Sequence, residues 1–162
     1  VIAAGLQERR TAVIQEAELE CRELRQVLTL LDEERQALVD NDPERVAAIA
    51  QHKLAHVRAL ELFTARRAAL LGEAGYSADD AGMGQLVLDE GQGAGEVWLR
   101  LARTAAEARA ANAINGNLIQ LHLDDLQARL ALFAVATGGV DLYDAAGRSR
   151  PTVAGGRSIS CG

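Results

Sequence analysis

Cysteine is scarce in this 162-residue sequence: Cys21 and Cys161 stand at opposite ends, with no CxxC pair and no histidine at metal-ligand spacing. That usage suits a reducing compartment, so a cytoplasmic setting is expected, with Cys21 a small core hydrophobe. No apolar run approaches the about 20 residues of a membrane span, and no segment has the form of a signal peptide. The sequence starts at Val1, which leaves room for residues before it. Catalytic signatures are also missing: there is no GxSxG, no P-loop and no HExxH. His52 and His56 lie one helical turn apart, but the third histidine is the distant His122, and no carboxylate stands at ExxH spacing. Asp124 and Asp125 are adjacent, diverge on a helix and do not form a pair of acids. Gly91 to Gly95 is glycine-rich but lacks the preceding strand and the lysine of a phosphate loop, and reads as a linker. The expectation is a protein with no catalytic residue, no metal, no cofactor and no small-molecule substrate. A net charge of −6 and a pI near 5.1 argue against a general binder of nucleic acid or anionic membrane.

What is present is a helical composition. Aromatics are 3% of residues, while Ala and Leu make up roughly a third, and these two fix little extra entropy in a helix. The length suits one domain. Residues about 6–39 place Ala17, Cys21, Leu24, Leu28, Leu31 and Leu38 at three-four spacing, with Glu16, Glu20, Glu23, Arg25, Glu34 and Arg35 expected on solvated faces. Asp42 then caps and Pro43 opens a second helix over 43–73, striped by Val46, Ile49, Lys53, Val57, Leu60, Phe63 or Thr64, and Leu71. Two such stretches joined by a short turn predict an antiparallel hairpin about 45 Å long. Residues 76–95 carry repeated glycines and read as a mobile connector with two or three turns of helix, a short helix capped near Ser77 to Asp80 and running through Leu88. A third long helix over 96–136 runs a heptad-like seam from Trp98 through Leu101, Ala108, Asn112, Asn115, Ile119 and Leu126 to Phe133. The predicted fold is thus all-α: a long helical hairpin plus a third long helix, one coiled-coil-like domain over residues 1–137. Residues 138–162 are expected to form a flexible tail, rich in Gly, Ser and Arg and poor in apolar residues.

Two features of the third helix stand out. Asn112, Asn115, Gly116 and Asn117 are poor helix formers inside a strong helical run. One reading is an Asn-Gly turn. The other keeps the helix: Asn112 and Asn115 fix register by side-chain hydrogen bonds, Gly116 admits a neighbour, and a part in a partner site stays open. Beyond Gly116 the helix is apolar on more than one face. Ile119, Leu123, Leu126, Leu130 and Phe133 form one stripe, with Leu118, Leu121, Leu132 and Val135 on others. A helix needs one apolar face to join a hairpin, so the surplus either widens the internal core or makes a groove for a partner helix.

The order of "ALVDNDPERVAAIAQHKLAHVRALE", "RRAALLGEAG", a tryptophan, "NAINGNLIQLHL" and "DLYDAAGR" resembles the FlgN family of flagellar type III secretion chaperones. The likeness runs from the first helix to about Arg148. Its most specific part is Asn112, Asn115 and Gly116 followed by Leu118 and Ile119, and then Tyr143 with Gly147. The resemblance implies a cytoplasmic chaperone that binds terminal helices of hook–filament junction proteins, with transient visits to the membrane-embedded export gate. It implies client contacts at Leu118, Ile119, Leu123, Leu126, Leu130 and Phe133, and a gate contact at Tyr143. The Gly-rich connector and the basic extension after Arg148 depart from the family pattern. The competing reading is a structural coiled-coil homodimer or scaffold without export clients.

Overall fold

The computed structural model describes residues 2–136, all of whose regular structure is helical. Tyr143 and the predicted tail lie outside the described residues. Helix α1 spans Ile2–Val39, α2 Pro43–Glu73, α3 Asp80–Glu90 and α4 Gln92–Ala136. The protein is all-α, a bundle of long helices. The chain divides into two units, Val1–Ile119 and Gln120–Gly162, the second beginning within α4.

In the first unit the turn between α1 and α2 is written locally. Asn41 takes a left-handed φ of 54°, a conformation that asparagine tolerates better than most residues. The Asp42 side chain accepts a hydrogen bond from the Arg45 amide at 3.0 Å, and Pro43 occupies the first turn, where a missing N–H leaves nothing unpaired. The helices then run antiparallel: Glu34 meets Lys53, Glu23 meets His56 and Glu20 meets Arg67, one number rising as the other falls. Helix α4 follows α1 in the same direction, with Thr104 beside Cys21 and Asn115 beside Leu31.

The core of this unit gathers Val13, Ala17 and Cys21 of α1, Leu71 of α2, Met83 and Leu86 of α3, and Ala94, Val97 and Leu101 of α4. A smaller cluster follows along α1, built on Val27, Leu31 and Ala108 with Leu60 and Ala111 against it. Alanines at these contacts let long helices approach closely, which a core poor in aromatics requires.

The structure departs from the sequence reading at residues 76–95. The short helix expected there is present as α3, but it is packed, with Met83 and Leu86 fully buried, and is not part of a mobile connector. Its glycines serve the tight geometry instead of breaking it. The Asp79 carboxylate caps α3 by accepting from the Gly82 amide at 2.9 Å. A Cβ on Gly82 would lie 1.8 Å from the Ser77 carbonyl oxygen, so only glycine fits there. Gly91, at φ 83°, is the single residue between α3 and α4, and α4 accordingly begins at Gln92, not near residue 96. Gly93 and Gly95 therefore lie in the first turns of α4 and do not form a linker.

A second correction concerns the charges of α1. Glu16, Glu20 and Glu34 are buried, not solvated. Neighbours on α2 and α4 cover them, and Glu20 and Glu34 exchange water for paired cations and amides.

Candidate functional site

Residues 120–136 of α4 are rich in Leu and Ala, strong helix formers that keep the last turns wound. Two side-chain pairs one turn apart reinforce them. The Gln120 amide donates to Asp124 at 2.9 Å, and Arg129 Nε donates to Asp125 at 2.8 Å. Such pairs contribute a few tenths of a kcal/mol each.

The apolar side chains of this stretch face water. Leu123, Leu126 and Leu130 are 47%, 53% and 60% exposed, and Leu121, Leu132 and Val135 reach 62%, 71% and 79%. Phe133 is exposed too. In the first unit, Leu118 is half-buried and Ile119 exposed. Exposed leucines in such number on the last turns of a helix make residues 120–136 a candidate interaction surface.

Further up the same helix, Asn115 is 1% exposed and donates through Nδ2 to the Leu31 carbonyl at 2.8 Å and to Glu34 Oε2 at 2.9 Å. Lys53 Nζ donates to both Glu34 oxygens at 2.7 Å. One carboxylate on α1 thus ties α2 and α4 in a single register, because sliding α4 by a turn would strip a buried carbonyl and a buried charge of their donor. Asn115 Oδ1 is buried with no partner among the described residues. The rest of the asparagine–glycine motif differs from the sequence reading. Asn112 is exposed, and a Cβ on Gly116 would meet nothing within 4 Å, so no neighbour approaches there. The motif is helical throughout, not a turn.

A second polar node lay outside the sequence reading. Arg67 Nε donates to Glu20 Oε2 at 2.7 Å, Thr64 Oγ1 donates to Glu20 Oε1 at 2.7 Å, and the Arg67 guanidinium sits 5.2 Å from the centre of the Trp98 ring. Residues of α1, α2 and α4 again meet, here around the Arg67 guanidinium. For the Glu34 node the sequence signal is Lys53, a cation inside an otherwise apolar stripe. Arg67, one turn before the buried Leu71, gave a weaker hint.

Near the start of α1, Arg10 lies over the Tyr76 ring at 5.5 Å and pairs with Asp89 and Glu90. The Tyr76 hydroxyl donates to Asp89 at 2.6 Å. Burial, with the Asp89 hydrogen bond adding to it, pushes the phenol up to about 12, and the same bond holds the Asp89 carboxyl below its ordinary value. The Ser77 hydroxyl and the Gly82 amide do likewise for Asp79.

His56 Nδ1 lies 2.6 Å from Glu23, while His52 and His122 are exposed. Among the described residues no three His, Cys, Asp or Glu side chains converge to hold a metal. No helix among them is long and apolar enough to cross a membrane.

These features, a register-locked bundle of long helices and a helix surface rich in exposed leucine, can be set beside known proteins. The FlgN protein family model matches residues 9–151, most of the chain and all four helices in whole or part. No curated protein and no solved structure matches the chain. The chain belongs to the FlgN family of flagellar export chaperones.

Proposed function

We propose that this chain binds the terminal helical segments of hook–filament junction proteins in the cytoplasm and delivers them to the type III export gate. The carrying observation is the exposure of Leu123, Leu126 and Leu130 on one stripe of a stable helix. A client helix laid along that stripe buries its own apolar face, which otherwise favours aggregation or early assembly. The client contacts in this reading are Leu118, Ile119, Leu123, Leu126, Leu130 and Phe133. Asn115 acts indirectly, by holding α4 in register. The export-gate contact is Tyr143, and the chain carries out no catalysis.

Titration calorimetry and gel filtration with a purified junction protein test this. The expected result is a soluble complex with one client per chaperone, abolished by Leu126→Asp or Leu130→Asp. Tyr143→Ala should leave client binding intact and weaken binding to the gate; loss of both would refute the division of labour. A chain that binds no client at micromolar concentration, and that light scattering shows as a stable dimer, would favour the scaffold reading.

A further inference from the structure

Three glutamates of α1 are buried, and two of them hold a cation: Arg67 for Glu20 and Lys53 for Glu34. Glu16, only 8% exposed, has none. Its Oε1 is enclosed with no hydrogen-bond partner among the described residues. A buried carboxylate without a donor is costly, so any cation that reaches this position is strongly favoured.

Glu16 lines a cleft of about 300 Å³ whose other walls are Arg66, Ala69, Leu70 and Glu73 of α2. These four recur at three-four spacing and therefore share one face of α2. Arg66 and Glu73 are exposed, while Leu70 is half-buried. Two neighbouring arginines are engaged elsewhere. Arg9 donates to the Glu73 carbonyl at 2.9 Å, and Arg10 pairs with Asp89 and Glu90. Two carboxylates and one guanidinium leave the cleft with one negative charge in excess. A divalent metal is poorly served there, since it would have few oxygen ligands and a guanidinium beside it. The volume lies at the low end for ligand clefts and admits one long side chain, not a helix.

An apolar wall beside an unpaired carboxylate matches a side chain with an aliphatic stem and a cationic head. A guanidinium suits a buried pair better than an ammonium. It is more weakly hydrated and can donate to both carboxylate oxygens at once. We infer that this cleft binds an arginine side chain of a partner protein, its guanidinium on Glu16 and its methylenes against Ala69 and Leu70. The site is built by α1 and α2 alone and does not rest on the chaperone reading.

Nuclear magnetic resonance titration of the full chain with Nα-acetyl-arginine amide tests this. Saturable shifts are expected, confined to the amides of the five lining residues and their chain neighbours. The expected Kd is on the order of 10 mM, the strength of one charge-assisted contact. The uncharged citrulline analogue should bind at least fivefold more weakly. So should methylguanidinium, which has the head without the stem. Glu16→Gln keeps the side chain's size and removes its charge. It should retain wild-type helicity by circular dichroism and weaken the arginine amide at least fivefold. Binding that persists in Glu16→Gln, or a citrulline analogue that binds equally well, overturns the site. Methylguanidinium that binds as tightly as the arginine amide also overturns it, because the ligand is then a small free cation. If wild type does not bind and Arg66→Ala does, Arg66 itself fills the cleft and the inference falls. It falls equally if neither binds.

Discussion

Replacing Lys53 by methionine isolates the node that ties three helices together. Methionine keeps most of the side-chain volume and removes the ammonium, leaving the Glu34 carboxylate, on a residue 3% exposed, with Asn115 Nδ2 as its remaining side-chain donor. Removing one partner of a buried ion pair costs about 3–5 kcal/mol. Two observations reduce that figure here. The Lys53 side chain is 21% exposed, so water already screens part of the attraction, and the Asn115 hydrogen bond survives. The expected loss is about 2 kcal/mol, or about 4–8 °C in Tm for a chain of this size. Urea and thermal unfolding followed by helical circular dichroism measure it, with the urea slope unchanged if only stability has moved. The triple replacement Glu34→Met, Lys53→Met and Asn115→Leu removes every charged member and the polar amide. It is expected to lie within about 1 kcal/mol of wild type or above it, since packed hydrophobes often match a buried polar network. A Lys53→Met loss below about 0.5 kcal/mol would refute the argument, because the pair would then behave as an ordinary surface bridge.

Two further predictions concern α3 and its approach. Gly82→Ala places a methyl group 1.8 Å from the Ser77 carbonyl oxygen and should destabilise by about 1–3 kcal/mol. Gly84→Ala meets nothing within 4 Å and should stabilise by up to about 1 kcal/mol, so a pair of denaturation curves with shifts of the same sign would contradict the geometry. Because the folded Tyr76 phenol is raised from 10.0 to about 12, its contribution is present below pH 10 and is lost as pH rises through 12. Tyrosinate absorbance should show one late-titrating phenol that Tyr76→Phe removes, and the variant should lose less stability than wild type between those limits.

The helices were legible because their causes are local. Leu and Ala at three-four spacing, an Asp-Pro pair at the start of α2 and the Gly72 to Gly75 stretch at its end act through backbone bonds within a few residues. The surplus of leucine beyond Gly116 was legible for the same reason, since helical geometry alone assigns residues to faces. The helix α3 was harder. Its glycines score as breakers, and only the enclosure of Met83 and Leu86 between α1, α2 and α4 outweighs that local preference.

Which polar groups are buried was not written in any window of sequence. Glu16, Glu20 and Glu34 have the same composition around them as the solvated charges, yet tertiary packing covers them. Asn112 and Asn115 share one motif, and only the second meets Leu31 and Glu34. The amino-acid sequence by itself determined the three long helices, the turn between α1 and α2 and the apolar faces those helices carry. Tertiary structure decided which charges pair, which asparagine locks the register and that Leu123, Leu126 and Leu130 stay in water. The physical reason is range: backbone bonding is settled within a turn or two, whereas desolvation depends on groups that folding brings from far along the chain.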